Sequence, residues 1–591
     1  MLDNNTTSPV PTSTADFNVV WPSSPRVMDA VIPAPRHAGL GGVKVALLWD
    51  WLFDGDHAYE HIKDELTRRF PGVTFVGYEQ FGNIHGPDEL EVIARLPRLL
   101  ERHGCRAVIA GVGHCGSCAP AVVRAAIVAE RAGIPAVAIV SKSYEGQSRS
   151  VARMAGMPEA PLAIYPGLIG VDDDGLFEMK IRATVTDAIV AGLTRTVPAS
   201  RTDPSEPTPR QIVGSGTLEE VNDDFEARHW TDGLPIIPPT IDRVEAFLAC
   251  TPMNANDVLG ILKPDRRQAT VWSVAVNGVM AGCRPDYMPV LVAIASAIAD
   301  PVFRLEDSPS GVGWEPLVTI SGPVIEDLEF NYQAGALRVG RRANTSIGRF
   351  VRLYMRNVAG LRIPPFNTDR PGLGNSFRVV LAENEKVVRG LGWPTYGEDR
   401  GLVVGESGVT VQSVVAESPP INANGKAGDV EAFLEPLVEV FGKAVAGHWL
   451  HVGLAFGAWH PMVIINPGFA ELLAEQGMSK DDFRSVLFER SRIPARRINE
   501  RMESFFNVTL EEQVRNGVLP ATFAQSDDPD RLIPTFIAPE MTGIVVSGRE
   551  GAGWQRGLIN NHRHGQPVTR RIDLPADWAE RMERRPRLSA P

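Results

Sequence analysis

Two cysteines separated by two residues, Cys115 and Cys118, are the side chains best suited to chemistry in this chain. That spacing lets their sulfurs join in a disulfide, so that one thiol attacks and the other resolves. The surrounding segment, residues 107–140, reads AVIAGVGHCGSCAPAVVRAAIVAERAGIPAVAIV. It predicts a buried strand, a glycine-rich turn over 111–118, and a helix with Pro120 in its first turn, where a missing N–H costs nothing. Free N–H groups and the dipole at a helix N-terminus favour thiolate over thiol. A protonated His114 would strengthen that field, while Gly113 and Gly116 permit a tight turn and close approach of a substrate. Two other readings stay open. A Cys-x-x-Cys pair is half of a structural zinc site, but two further ligands are then needed and only Cys105 lies near. The pair also fits two small, inert residues packed into a turn.

A third cysteine sits in a similar setting. Residues 269–300 read ATVWSVAVNGVMAGCRPDYMPVLVAIASAIAD, an apolar segment ending in Gly282-Cys283, a polar turn and a helix expected over 286–299. A helix N-terminus and adjacent Arg284 would favour a Cys283 thiolate. The plain alternative is a buried cysteine acting as a small hydrophobe. If both cysteine sites are functional, the economical arrangement is one active site at a domain interface, where clefts favour ligands.

Other polar clusters are weaker signals. Arg338, Arg341, Arg342, Arg349, Arg352 and Arg356 crowd one segment, with Asn344 among them. Helical spacing of Arg349, Arg352 and Arg356 suits a grip on a carboxylate or phosphate, or a salt-bridged face. Arg341, Asn344 and Arg349 are the candidate substrate contacts there. His448, His451 and His460 are candidate metal ligands, although no acidic partner accompanies them in a standard motif. Residues 551–565, GAGWQRGLINNHRHG, suit a substrate loop or an ordinary surface loop.

The Cys115-Gly116-Ser117-Cys118 motif resembles that of the UGSC family, selenoproteins and cysteine homologues named for a Sec-Gly-Ser-Cys sequence. The resemblance continues through residues 125–127, Glu130, residues 133–135 and Tyr165-Pro166-Gly167. It implies that Cys115, at the selenocysteine position, is the reacting atom, with cysteine the weaker nucleophile and leaving group. The wider organisation is distantly similar to the selenoprotein subunits of glycine and betaine reductases.

The elements that must position these residues follow from periodicity. Strands are expected over 43–51, 73–81, 107–112, 136–140 and 161–165, alternating with helices over 57–70, 88–103, 119–132, 148–155 and 176–193. A strict strand–helix alternation with near-continuous apolar strands predicts a doubly wound parallel sheet covered on both faces. Residues 1–40, rich in Ser, Thr and Pro, are expected as a mobile arm or surface strap. Residues 41–195 form the α/β thiol domain, 196–216 a Pro/Ser/Thr-rich linker such as a gene fusion would leave, and 217–591 a larger mixed α/β or α+β domain. In the latter, Thr240 is expected to cap a helix.

The chain has 591 residues, 44% of them hydrophobic and 22% charged, enough for more than one core. A net charge of −12 argues against nucleic-acid or anionic-membrane partners, though local arginines leave a small anionic substrate open. No apolar run reaches the roughly 20 residues a bilayer needs. The first residues lack the basic and apolar regions of a secretory signal. Five cysteines are too few for a disulfide framework, which points to a reducing cytoplasm. The expectation is a cytoplasmic, homo-oligomeric, thiol-dependent oxidoreductase or lyase acting on a small organic molecule, with a thiol reductant as partner and no cofactor. The alternatives are a protein that binds a metal ion or other ligand through Cys115 and Cys118, and a lyase or hydrolase with its site in the second domain.

Overall fold

The computed structural model describes residues 16–27, 31–198 apart from 87 and 170, 206–307, 314–362, 379–445 apart from 420 and 423–428, 453–549 apart from 456, 458, 459 and 507, 554–560 and 566–585. After an outlying strand β1 (Phe17–Val20), the N-terminal region folds as β2 (Lys44–Trp49), α1 (Gly55–Arg69), β3 (Thr74–Val76), α2 (Glu89–Arg102), β4 (Ala107–Gly113), α3 (Cys118–Arg131), β5 (Ala136–Ser141), α4 (Glu145–Met154) and β6 (Leu162–Tyr165). α5 (Asp174–Lys180), a π-helical turn (Ile181–Val185) and α6 (Thr186–Thr194) complete it. The five strands β2 to β6 are all parallel, in the order β3-β2-β4-β5-β6.

Every residue of β4 and β5 is buried, the reason both read as unbroken apolar runs. Alternate side chains feed two cores. Leu47, Ile109 and Ile139 pack with Tyr59, Ile62 and Leu66 of α1 and Ile189 and Leu193 of α6. Leu48, Val108 and Val140 face Leu96 of α2, Val122 of α3 and Ala152 of α4. Since β2 and β4 are neighbours, and α1 and α3 leave them on opposite faces, a crevice opens at their carboxyl ends. That topological switch point is where open α/β sheets bind ligands.

The N-terminal stretch is a strap. β1 pairs antiparallel with β7 (Ile212–Gly216), and Val19 and Val20 are fully buried in the second domain's core. Val27 N–H donates to Arg266 O at 2.8 Å. The strap then lies on the first domain: Ala34 N–H donates to the buried Glu130 carboxylate at 2.8 Å, Arg36 pairs with it at 2.8 Å, and His37 N–H reaches Leu193 O at 3.1 Å. From residue 16 on, the mobile-arm expectation thus gives way to its alternative, because Phe17, Val19 and Trp21 bury apolar area that Ser and Pro around them disguise. The expected linker shortens too. Glu206 pairs with Arg267 at 2.8 Å, Trp272 Nε1 donates to Pro209 O, and residues 212–216 are strand.

The second domain is mixed. Its main sheet follows the order β11 (Leu381–Ala382), β10 (Glu315–Ser321), β12 (Gly408–Glu417), β18 (Trp554–Asn560), β14 (Met462–Ile465), β17 (Gly543–Val546). Helices Val271–Met280 and Met288–Ile298 are almost wholly buried beside it. Thr240 occupies the N-cap of helix Ile241–Leu248, but its side chain makes no capping hydrogen bond.

The domains meet at a buried ion cluster. Glu89 at the start of α2 lies 2.9 Å from Arg304 of the second domain and 3.0 Å from Arg124 of α3, and its carboxylate accepts from His85 Nδ1 at 2.8 Å. Lys263 pairs with Glu306 at 3.0 Å. Burial alone would raise the Glu306 carboxyl, but Lys263, Arg304 and Arg124 together hold it below the ordinary carboxylate range. A depressed carboxyl stabilises the fold above its unfolded value, and that contribution disappears as pH falls below about 4.5. Glu306→Gln is therefore expected to lower stability at pH 7 by about 3 kcal/mol, the scale of a broken buried pair, and to flatten the acid limb of a melting-temperature profile.

Candidate thiol site at the switch point

The site is built on one close approach. A Cβ placed on Gly113 would meet Ala119 Cα at 2.7 Å and Val140 Cγ1 at 2.9 Å, so only glycine lets the first turn of α3 lie against the end of β4. Residues 114–118 make the turn between them, with Cys115 half-buried and Cys118 fully buried. Their sulfurs form a disulfide.

Helix α3 begins earlier in hydrogen bonding than in backbone form. Ala119 N–H donates to Cys115 O at 3.1 Å, and Cys118 N–H donates to Cys115 Sγ at 3.0 Å. Cys115 thus holds the capping position usually filled by Ser, Thr, Asp or Asn, with sulfur in place of the capping oxygen. Ser117 Oγ stands 3.5 Å from the same sulfur. The Gly116 carbonyl accepts from Gln147 Nε2 of α4 at 2.7 Å, which fixes the turn from the far side.

His114 is half-buried, with Nδ1 2.8 Å from Ser141 Oγ at the end of β5. Phe53 and Tyr144 flank its ring edge-on at 5.2 and 6.0 Å. Across the crevice, the buried Asp50 ties β2 to β4: its Oδ1 accepts from Val112 N–H at 2.8 Å and its own N–H donates to Gly111 O. Tyr59 donates to Leu48 O at 2.5 Å, and burial, then the Asp50 charge, raises its phenol well above the usual value. Asp50, Ser141 and Gln147 were not singled out from sequence. Asp50 alone carried a readable signal, a carboxylate ending an apolar strand run; the other two depend on which strand and helix lie beside β4.

Cys115, Cys118, His114, Gly113 and Gly116 thus come together as expected, whereas the second cluster does not join them. Residues 271–280, ahead of Cys283, are helix rather than strand. Cys283 N–H closes the carboxyl end of that helix by donating to Gly278 O at 3.0 Å, so the nearer dipole end disfavours an anion. Burial pushes the Cys283 thiol up to about 12, which the hydrogen bond with Ser346 and the charges of Arg342 and Arg349 only partly offset. This setting favours the alternative for Cys283, a buried cysteine acting as a small hydrophobe.

The neighbouring candidates are occupied structurally. Arg284 pairs with Asp286 at 3.4 Å; Arg349 pairs with Asp232 at 2.9 Å and donates to Leu234 O and Pro235 O. Arg352 pairs with Glu315, and Arg356 donates to His229 O at 2.9 Å. The fully buried Asn344 exchanges hydrogen bonds with Asn331 and donates to Val380 O, leaving it no free group for substrate. Arg341 stands at the N-cap of helix Arg342–Tyr354, where its side chain makes no cap bond. Arg349 and Arg356 thus clamp the loop around residues 229–235, while Arg352 holds Glu315 and Arg342 donates to Gly282 O.

Residues 554–560 are strand, which corrects part of the expected loop, while 551–553 and 561–565 lie outside the described residues. His448 and His451 also lie outside them; burial, then Arg400, lowers His460 to about 4, so it is neutral near pH 7. Among the described residues no three His, Cys, Asp or Glu side chains converge as a metal site. None of their helices is long and apolar enough to cross a membrane.

A doubly wound α/β domain carrying a Cys-x-x-Cys disulfide at its switch point is thus the class of unit that residues 31–195 define. The model of the UGSC family matches residues 18–195, the span that contains this domain. Comparison with curated proteins and with solved structures gave no match. Within the matched span, Glu130 anchors the strap and Tyr165 bonds Asp172, which Lys180 also holds at 2.6 Å.

Two outcomes are expected. Gly113→Ala should destabilise the protein by about 1–3 kcal/mol in denaturant unfolding through overpacking, whereas Gly146→Ala, whose Cβ meets nothing within 4 Å, should be nearly neutral. Iodoacetamide at pH 8 should leave Cys283 unmodified in the folded protein and label it after unfolding, as read by peptide mass spectrometry.

Proposed function

We propose that this protein is a thiol-dependent enzyme that performs nucleophilic, reductive chemistry on a small organic substrate, with Cys115 as the attacking sulfur and Cys118 as the resolving one. The observation that carries this reading is the asymmetry of the pair. Cys115 is half-buried and its sulfur accepts the Cys118 N–H, while Cys118 is 0% exposed. An incoming molecule can reach only the first sulfur, and the amide that caps it also favours its anionic form.

In the reduced protein, the Cys115 thiolate attacks an electrophilic centre of a substrate R–X, forming an S–R bond and expelling X⁻. The Cys118 thiolate then attacks Cys115 Sγ, forming the disulfide and releasing R⁻, which takes a proton. The net change is R–X plus two thiols to R–H, HX and one disulfide. A small thiol restores the pair: its thiolate attacks Cys115 Sγ, Cys118 leaves, and a second thiol releases the mixed disulfide. The UGSC assignment supports placing the chemistry here, because the motif naming that family coincides with these two sulfurs. His114, held on Ser141, is the titratable group of the turn suited to handling the proton.

The test uses the reduced full chain and a chromogenic aromatic disulfide. Wild type is expected to release both aromatic thiolates and return to its own disulfide. Cys118→Ser should release one and keep the other as an adduct on Cys115, while Cys115→Ser should react at least about tenfold more slowly. Equal reactivity of Cys115→Ser and wild type would remove the nucleophile from this scheme.

A further inference from the structure

Behind the thiol turn, a cavity of about 100 Å³ lies between α3 and α4 of the first domain and the Lys263–Arg266 turn of the second. Pro120, Val151, Met154 and Pro264 give it a mainly apolar wall. Three cations, Arg124, Lys263 and Arg266, line it against one carboxylate, Glu306. The buried Glu89–Arg304 pair behind them adds one charge of each sign, so the excess of positive charge remains. Arg124 and Lys263 are held by Glu89 and Glu306, whereas Arg266 has no acidic side chain within ion-pair distance among the described residues. Gln147 supplies an independent observation. It is 8% exposed, lines the cavity, and donates its amide to Gly116, while its Oε1 is buried with no hydrogen-bond partner among the described residues. A buried acceptor without a donor is costly, and native structures rarely keep one without a use.

We infer that this interdomain cavity is a binding site for a short-chain carboxylate that also carries a hydrogen-bond donor. The carboxylate balances the cationic rim at Arg266, the short chain covers the apolar wall, and a hydroxyl or amide N–H meets Gln147 Oε1. Compared with the engineered cavity of about 150 Å³ that takes up benzene, there is room for roughly four to six non-hydrogen atoms. Cys115 and Cys118 do not line the cavity. The site is thus distinct from the attacking sulfur, and Gln147 connects it to Gly116 within the same turn.

The experiment is calorimetric titration of the full chain, disulfide intact, with 3-hydroxypropanoate and with neutral 1,3-propanediol. Because it reads binding alone, failure of the thiol chemistry would leave its result unchanged. The hydroxy acid is expected to bind at least about tenfold tighter than the diol, with a comparable loss in Arg266→Gln and in Met154→Trp, which fills the cavity. Equal binding of the two probes, no binding of either, or undiminished binding in Arg266→Gln would overturn the assignment. If Met154→Trp does not fold, Arg266→Gln decides alone.

Discussion

The structure of the thiol domain depends on how closely α3 approaches the end of β4. With no side chain at Gly113, Ala119 can lie against the strand, and the helix begins at the sheet's carboxyl edge. That closeness places Cys115 at the capping position, delivers the Cys118 N–H to its sulfur, and drives Cys118 into the core. Much of what distinguishes the two sulfurs follows from this steric allowance. The helix dipole then acts on Cys115 at contact range, where partial charges at a helix end matter most.

Around that turn, the protein spends buried polar groups on fixing geometry. Asp50 joins the two strands of the switch point, Gln147 holds the Gly116 carbonyl, and Glu130 fastens the strap to the beginning of β5 by accepting from Ala34 and Ala136. The Glu89 cluster does the same between domains. The carboxylates accept from backbone N–H groups or pair with cations, and the Gln147 amide donates to a backbone carbonyl, as polar groups removed from water must find partners. The strap adds a covalent route across the same boundary, with residues 17–27 on one domain and 31–40 on the other.

Cys115 and Cys283 show how far local sequence can mislead. Both follow an apolar run and a glycine, and both precede a helix rich in small residues. In the first case the run is a strand and the cysteine caps the next helix. In the second the run is itself a helix, and the cysteine closes its carboxyl end beneath Ser346 and the arginine clamp. A ten-residue apolar run fits a buried strand or a buried helix equally, so periodicity cannot separate the two. The opposite places of the two cysteines, ahead of one helix and behind another, were decided there.

The sequence by itself determined the α/β order of the first domain, most strand and helix limits, and the Cys-x-x-Cys pair on a turn opening a helix, but the strand expected over 73–81 ends at Val76 and the helix expected over 176–193 is broken by a π-helical turn. Local forces set these: apolar runs, glycine and proline punctuation, and the mirrored faces of a parallel sheet. The UGSC motif was likewise legible as residue types at fixed spacing. Only the tertiary structure decided that Cys118 is buried and Cys115 is not, that Asn344 and Arg349 serve packing, and that Gln147 and Asp50 stand beside the thiol turn. It also decided the strap and β12, whose buried residues pair with β10 and with residues Val568–Arg571, far away in the chain. Such contacts join residues tens to hundreds of positions apart, and no short-range periodicity encodes which distant segment will supply a partner.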